Sequence, residues 1–360
     1  MKRSLFLFVC LWAVIIQAQE VMYIPKNNVK ALLTAIELAN KKNAEKDSKP
    51  LYILIPDGFY DLGATVLTKI TGHNIAMIGQ SMDGTIIQNK PDVKNEGISK
   101  TAIFQNRGTN NYFQDLTLKN ALDYYAAGSA GRAVTLQDKG THTICNRVRL
   151  LSYQDTYYSD NDQGVHYLQD SEIHGTVDFV CGDGDVWFEK CRIVTEKRTA
   201  NGSGRDVIAA PKTSKTDWGY VFNHCTIENI ISPFEYARGW HSVPRCIWLY
   251  TTLLSPEKLN SNRFDTHGMN TVTSVFKEYG TMDAQGNDIT PKTNVLTFSM
   301  KRKKMENGEE VVMELQHTDE TIMNSEDAAR YTINHVFGNW HPDKVIKQVE
   351  KKVKKLKKRL

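Results

Sequence analysis

The chain has 360 residues, 41% of them hydrophobic and 24% charged, which is an ordinary composition for a folded protein of one large domain or two small ones. Its formal net charge of +4 is unevenly placed: Lys2 and Arg3 charge the first 18 residues, and seven lysines and Arg359 against Glu350 charge the last sixteen, leaving a mildly acidic body. Outside that tail nothing supports nucleic-acid binding, and no run after residue 18 is long and apolar enough for a helical membrane span.

Lys2-Arg3, the apolar run Leu5 to Ile16 and then Gln17-Ala18-Gln19 read as a secretory signal over residues 1–18, with Ala18 the cleavage residue. Cys10 lacks the small residue expected before a lipoprotein cysteine, which favours cleavage over a lipid anchor. The expectation is an exported protein, periplasmic or secreted, with a body over residues 19–342 and a basic tail over 343–360. Five cysteines remain, Cys145, Cys181, Cys191, Cys225 and Cys246. An odd number leaves at least one unpaired, and their strand-like settings suit buried thiols better than a disulfide framework. No CxxC pair points to zinc.

In chain order, residues 29–42 carry apolar side chains at helical spacing and predict a helix covering one end of the fold. Leu51 to Ile55 is a buried strand followed by the turn Asp57-Gly58, and Asn74 to Gly79 is short and branched. A pattern then recurs, with polar residues followed by an alternating apolar end. Its terminal residues are Leu118, Leu150, Ile173, Ile193, Ile227 and Leu253, spaced 20 to 34 apart. Strands at such irregular intervals, without amphipathic helices between them and mostly without hairpin turns, favour a solenoid of stacked β coils over a β-sandwich. Residues 283–292 and 301–310 are polar and read as loops. Ser325 followed by Glu326 and Asp327 reads as a capped helix start. In the tail, Val345, Val349, Val353, Leu356 and Leu360 share one helical face among lysines. Such a helix can bind an acidic polysaccharide, a membrane surface or the acidic body, or remain solvated.

The chemistry centres on Gly175-Thr176-Val177-Asp178-Phe179-Val180-Cys181-Gly182, an acid inside a β-prone run closed by glycines. A carboxylate among apolar neighbours is either paired structurally or kept for chemistry. Asp155, in Tyr153-Gln154-Asp155-Thr156-Tyr157-Tyr158, follows the coil ending at Leu150, as Asp178 follows the one ending at Ile173. The two acids therefore share a phase on neighbouring coils, about 4.8 Å apart if the strands stack. Two close carboxyls in unequal surroundings divide into one ionised and one protonated, which suits a nucleophile and a general acid/base. Further on, Arg238 can hold a carboxylate in a bidentate pose and Trp240 offers a flat face to a sugar ring.

Together these motifs resemble the pectin methylesterases. Gln154-Asp155-Thr156-Tyr157-Tyr158 is similar to the family's Q-D-T-L-Y, Gly175 to Phe179 to its G-T-V-D-F, and Arg238-Gly239-Trp240 to its R-x-W. Val207-Ile208-Ala209-Ala210-Pro211 resembles the I-T-A-P of bacterial members, and similarity runs over roughly residues 28–342. The resemblance implies an all-β, single-stranded right-handed parallel β-helix with an N-terminal capping helix and C-terminal helices. It implies hydrolysis of galacturonate methyl esters in pectin (homogalacturonan), with no metal or other cofactor; separately from the resemblance, a monomer is expected. Asp178 would be the nucleophile, Asp155 the general acid/base, Gln154 an oxyanion donor and Arg238 the group that orients Asp178. Trp240 and Tyr158 would line the sugar cleft.

Two segments depart from the family pattern. Arg132, in Arg132-Ala133-Val134-Thr135-Leu136, stands where the family has a second oxyanion glutamine. Arg132 can stabilise the oxyanion, hold a neighbouring uronate carboxylate, or block the ordinary substrate. Gly58-Phe59-Tyr60-Asp61 matches the early G-x-Y-x-E segment only loosely, which leaves the first coil in question. A serine esterase lacks its G-x-S-x-G here. A lyase would want calcium carboxylates, for which Asp183 and Asp185 stand in a segment that reads better as a polar turn. The alternatives carried forward are a non-catalytic pectin-binding β-helix and an esterase or lyase acting on another uronic-acid polysaccharide.

Overall fold

The computed structural model describes residues 20–92, 97–128, 131–272, 274–306 and 309–360. The leader expected over 1–18 lies outside them. Strands dominate, in sheets of 17 and 7 strands whose strand pairs are all parallel, plus one antiparallel hairpin. Successive coils contribute one strand to the seven-stranded sheet and further strands to the larger one. The result is a parallel β-helix, as the irregular strand repeat predicts.

The predicted apolar ends are the stack itself. Tyr60, Ile87, Leu118, Leu150, Ile173, Ile193, Ile227 and Leu253 pair in register from coil to coil, and none is more than 1% exposed. Burying each such side chain is worth about 1.5–3 kcal/mol. Tyr60 belongs to this row, so the first coil is intact despite its loose motif. Three residues before each of six of these positions the chain turns through a left-handed residue: Asp115, Arg147, Asp170, Lys190, His224 and Tyr250, all with φ between 47° and 54°. Left-handed non-glycine residues carry strain, and here their side chains stack: Arg147 pairs with Asp115 at 2.6 Å, and the His224 and Tyr250 rings lie 4.8 Å apart, nearly parallel. The five cysteines from Cys145 to Cys246 are buried free thiols.

Helix α1 (Val29–Lys42) forms where the periodicity places it, capped by Asn28, with Leu32, Ala35, Ile36 and Ala39 buried. The Asn40 side chain ties it to the next coil by accepting from the Thr71 and Gly72 amides. A short helix α2 (Tyr124–Ala127) precedes Arg132. Near the C-terminus come α3 (Ser325–Ala329), α4 (Ile333–Phe337) and α5 (Pro342–Leu356). The cap of α3 is Asn324 rather than Ser325, its side chain accepting from the Asp327 amide.

Two expectations change. Residues 301–310 are not a loop, because Val295–Glu306 and Glu309–Glu320 pair along their whole length as a hairpin. Leu296 and Phe298 anchor the base of the ribbon in the core, and beyond them the strand from Lys301 to Glu306 is exposed on both faces, so that stretch shows no apolar alternation to read. The sequence signal was Asn307-Gly308, which favours a tight hairpin turn. The basic tail is neither frayed nor solvated. Helix α5 lays Ile346 and Val353 onto the outer face of the large sheet. Ion pairs join Glu350 to Arg147 at 2.6 Å, Lys357 to Asp115 at 2.6 Å and Lys352 to Glu20 at 3.3 Å. Of the partners the sequence left open, the tail takes the acidic body.

Candidate active site

The site lies on the outer side of the seven-stranded sheet. Gly175 starts it: a β-carbon there would stand 2.1 Å from the Phe179 β-carbon and 2.7 Å from the Tyr153 carbonyl. Only glycine lets the chain fold back so closely. Val177 pairs with Val207 and Val180 with Ala209, so Asp178 and Phe179 together face Ile208 in a β-bulge. Asp178 takes the left-handed conformation at φ 52° while Phe179 is fully buried in the core. The bulge thus aims the carboxylate outward.

Arg238 meets Asp178 in a two-pronged pair, Nε donating to Oδ1 at 2.8 Å and Nη2 to Oδ2 at 2.5 Å. The Arg238 backbone amide is fixed in turn to the Ala209 carbonyl at 3.0 Å. This geometry fixes the orientation of the carboxylate.

Asp155 sits one coil earlier. Isolated bridges join Arg132 to Gln154 and Gln154 to Val177, so Asp155 follows in register opposite Asp178, one strand spacing away. Asp155 is also left-handed, at φ 58°, and only 4% exposed. Burial raises its pKa well above the usual carboxylate range, and the Asp178 charge raises it further; Arg132 and Arg238 pull the other way without cancelling this. The Cys181 thiol donates weakly to its Oδ1 at 3.9 Å. The two carboxyls thus sit in unequal surroundings, Asp155 buried with its pKa raised and Asp178 held by a guanidinium.

Gln154 is half-buried, and among the described residues nothing holds its side-chain amide. Trp240 and Tyr158 face each other with ring centroids 6.2 Å apart, and the Tyr158 hydroxyl donates to Asp160 at 2.9 Å. Arg132 is half-buried in line with Gln154. The structure thus brings together all seven residues singled out in the sequence. Asp183 lies in the bend and Asp185 opens the strand after it: Asp183 accepts from the Gly184 and Ser214 amides, and Asp185 from those of Trp218 and Gly219.

Sequence reasoning missed Cys181 as a neighbour of Asp155. It also missed a tyrosine wall beside Gln154. Tyr124 and Tyr153 stack at 4.8 Å, and Tyr125 meets both edge-on at 5.4 Å. Tyr153 directly precedes Gln154, which was a signal; the Tyr124-Tyr125 pair joins it only through the fold.

The pectinesterase family model matches residues 24–254. A probable pectinesterase of Arabidopsis thaliana is 25% identical over 244 residues, 66% of this chain and 63% of that protein. A probable pectinesterase A of Aspergillus flavus is 29% identical over 178 residues, covering 48% of this chain and 51% of its own length. The chain spans between a third and two-thirds of the length of these first curated relatives. Among solved structures, the pectin methylesterase PemA from Erwinia chrysanthemi superposes with a TM-score of 0.62 at 20% identity, over 85% of this chain and 93% of that one. A pectin methylesterase mutant in complex with a hexasaccharide gives a TM-score of 0.63 at 19% identity, over 86% and 93%. These likenesses establish the shared fold, and the family match covers the coils that carry the acids and Arg238; the chain belongs to the pectinesterase family.

Proposed function

We propose that the protein hydrolyses methyl esters of galacturonate residues in pectin, releasing methanol and leaving carboxylates. The observation that carries this is the forked Arg238–Asp178 pair beside a buried Asp155, whose pKa burial raises. Asp178 attacks the C6 carbonyl, and the tetrahedral oxyanion accepts a hydrogen bond from Gln154. Such a donor is worth roughly 2.7–4 kcal/mol in the transition state. The C–OCH3 bond breaks as Asp155 gives its proton to the departing oxygen, leaving methanol and an Asp178 acyl anhydride. Asp155, now a carboxylate, takes a proton from water as it attacks the anhydride, and Asp178 is regenerated. Trp240 and Tyr158 form the sugar-stacking side of the cleft. The leader motif over 1–18 supports export, and we read the working protein as a monomer.

Methanol release from methylated pectin is the test, with Asp178→Asn as the paired variant. Release by the wild type and its loss in the variant is the expected result. Pectin binding without methanol release over a broad panel of esterified pectins would instead make this a non-catalytic pectin-binding member, an outcome that the Arg132 departure keeps in play.

A further inference from the structure

Helix α5 has two faces, and the body uses one of them. Ile346 and Val353 are buried on the large sheet, with Val345, Val349 and Leu356 packed beside them. The cations that turn inward are paired, Lys352 with Glu20 and Lys357 with Asp115. Glu350, the one glutamate of the helix, is taken by Arg147.

The opposite face is a row of lysines. Lys344, Lys347, Lys351, Lys354 and Lys355, with Lys358 in the turn that continues the helix, are all exposed. Each stands three or four residues from the next, so at 3.6 residues per turn they share a stripe roughly 100° wide, opposite the buried side chains. At 1.5 Å per residue the stripe is about 20 Å long. Among the described residues it meets one acid, Asp343, 3.9 Å from Lys347. Like charges three and four residues apart destabilise a helix, so stability does not account for this arrangement.

A docked helix with about one cation per 5.4 Å turn suits a linear polyanion. It does not suit a bilayer. A helix on a lipid surface buries its apolar face in the headgroup boundary, and here that face is already spent on the sheet. The proposed reaction supplies the polyanion, because each hydrolysed ester turns a neutral sugar into a galacturonate carboxylate. The stripe lies over the large sheet and the acids over the seven-stranded one, so a chain held on the lysines leaves the cleft open.

We infer that the lysine stripe of α5 is a docking surface for de-esterified galacturonan, separate from the cleft. The identity of the polyanion rests on the methylesterase reading. A stretch held on the stripe raises the local concentration of esters elsewhere on the same polymer, so the protein works at lower substrate concentration on chains that are already partly de-esterified.

Two measurements decide it, each on wild type and on a variant carrying Lys347→Gln, Lys351→Gln, Lys354→Gln and Lys358→Gln. The first needs no turnover: calorimetric titration with polygalacturonate. At low salt the variant should bind at least tenfold more weakly, and the gap should close as salt is raised. Equal affinities would overturn the docking surface. Tighter binding of wild type to vesicles of anionic phospholipid than to polygalacturonate would also overturn it and give the stripe to a membrane surface. The second is methanol release. On fully methylated hexagalacturonate, which has no charge for the stripe to hold, the two proteins should match in kcat and KM. On partly de-esterified polymeric pectin the variant should keep kcat and show a KM about fivefold higher. An unchanged KM on the polymer would overturn the inference. Absence of methanol from both substrates with wild type would defeat the methylesterase reading, while the titration would still decide whether the stripe holds polygalacturonate. Thermal melts should show the variant at least as stable as wild type, because like charges have been removed. If it fails to fold, Lys351→Gln with Lys354→Gln repeats the test.

Discussion

Two outward-facing rows of the β-helix have opposite fates. On the large sheet, Tyr52, Ala76, Tyr112, Ile144, Tyr167, Trp187, Val221 and Ile247 pair in register as one apolar row. It is buried by the C-terminal helices, through Val336, Phe337, Ile346 and Val353. On the seven-stranded sheet the matching row is Lys69, Gln105, Gln137, Tyr158, Cys181 and Ala210. Its polar members bond sideways: Gln105 donates to Gln137 at 2.8 Å and Gln137 to Asp160 at 2.7 Å, leaving Tyr158 and Trp240 at the cleft. The same coil geometry thus supplies a hydrophobic surface for closure and a polar floor for chemistry. The teaching is a division of labour, in which changes on the polar face should alter turnover and changes on the apolar face should alter stability.

Asp178→Asn is the sharpest test of that division. Asparagine tolerates the left-handed backbone of this bulge, so the melting temperature should stay within a few degrees. Turnover should fall on the order of 10³–10⁴-fold, as for loss of a principal catalytic group. A collapse in stability equal to the loss of activity would erase the distinction. Asp155→Asn comes next, costing about 10²–10⁴-fold if it removes the general acid. The sign of its pH dependence follows from the raised pKa: wild-type kcat/KM holds while Asp155 is protonated and declines as pH rises through that pKa. The variant should lack this alkaline limb. A limb unchanged in Asp155→Asn would assign it to another group.

On the other face, ending the chain after His341 removes α5 and uncovers part of the apolar row. Ile346 and Val353 alone account for several kcal/mol at about 1.5–3 kcal/mol each, and 1 kcal/mol moves the melting point of a domain this size by about 2–4 °C. A drop of about 10 °C or more is expected by calorimetry, with methanol release per folded molecule retained. Lys357→Glu, which reverses one ion pair with Asp115, should cost about 1–3 °C.

The rows explain what the sequence could show. The inward stack was legible because each coil spends a branched or aliphatic residue at the same phase, and Leu118 through Leu253 are the residues that pair. The two acids were legible because each follows such a marker at a comparable offset. The docking of α5 was not, because its surface is assembled from residues between Tyr52 and Ile247, one or two per coil. The outer part of the hairpin at 295–320 was hidden because both its faces are solvated and place Lys303 and Lys304 opposite Val312 and Val311, and Arg302 opposite Met313. The contacts of Arg132 and of the tyrosine wall depend on which coils are neighbours, which local spacing does not encode.

The last expected effect concerns a group that fits neither role cleanly. Asp206 begins a strand of the site's sheet, opposite Phe234, fully buried with both carboxyl oxygens unpartnered. Burial raises its pKa to about 8, with the Arg198 charge opposing and the Glu196 charge adding to the shift. The proton is therefore bound more tightly in the folded state than in the unfolded one, where the pKa is near the ordinary aspartate value of 3.8. Below that value both states are protonated and nothing is lost. As pH climbs from about 4 to about 8 the unfolded chain releases the proton and the folded one does not, so stability declines across that window. Above it both states are ionised and the penalty levels off. Asp206→Asn, neutral in both states, should match wild type in melting temperature near pH 4 and exceed it by a few degrees near pH 8. A difference independent of pH would deny Asp206 this role. A simultaneous change in methanol release would move Asp206 from the structural side of the comparison to the catalytic one.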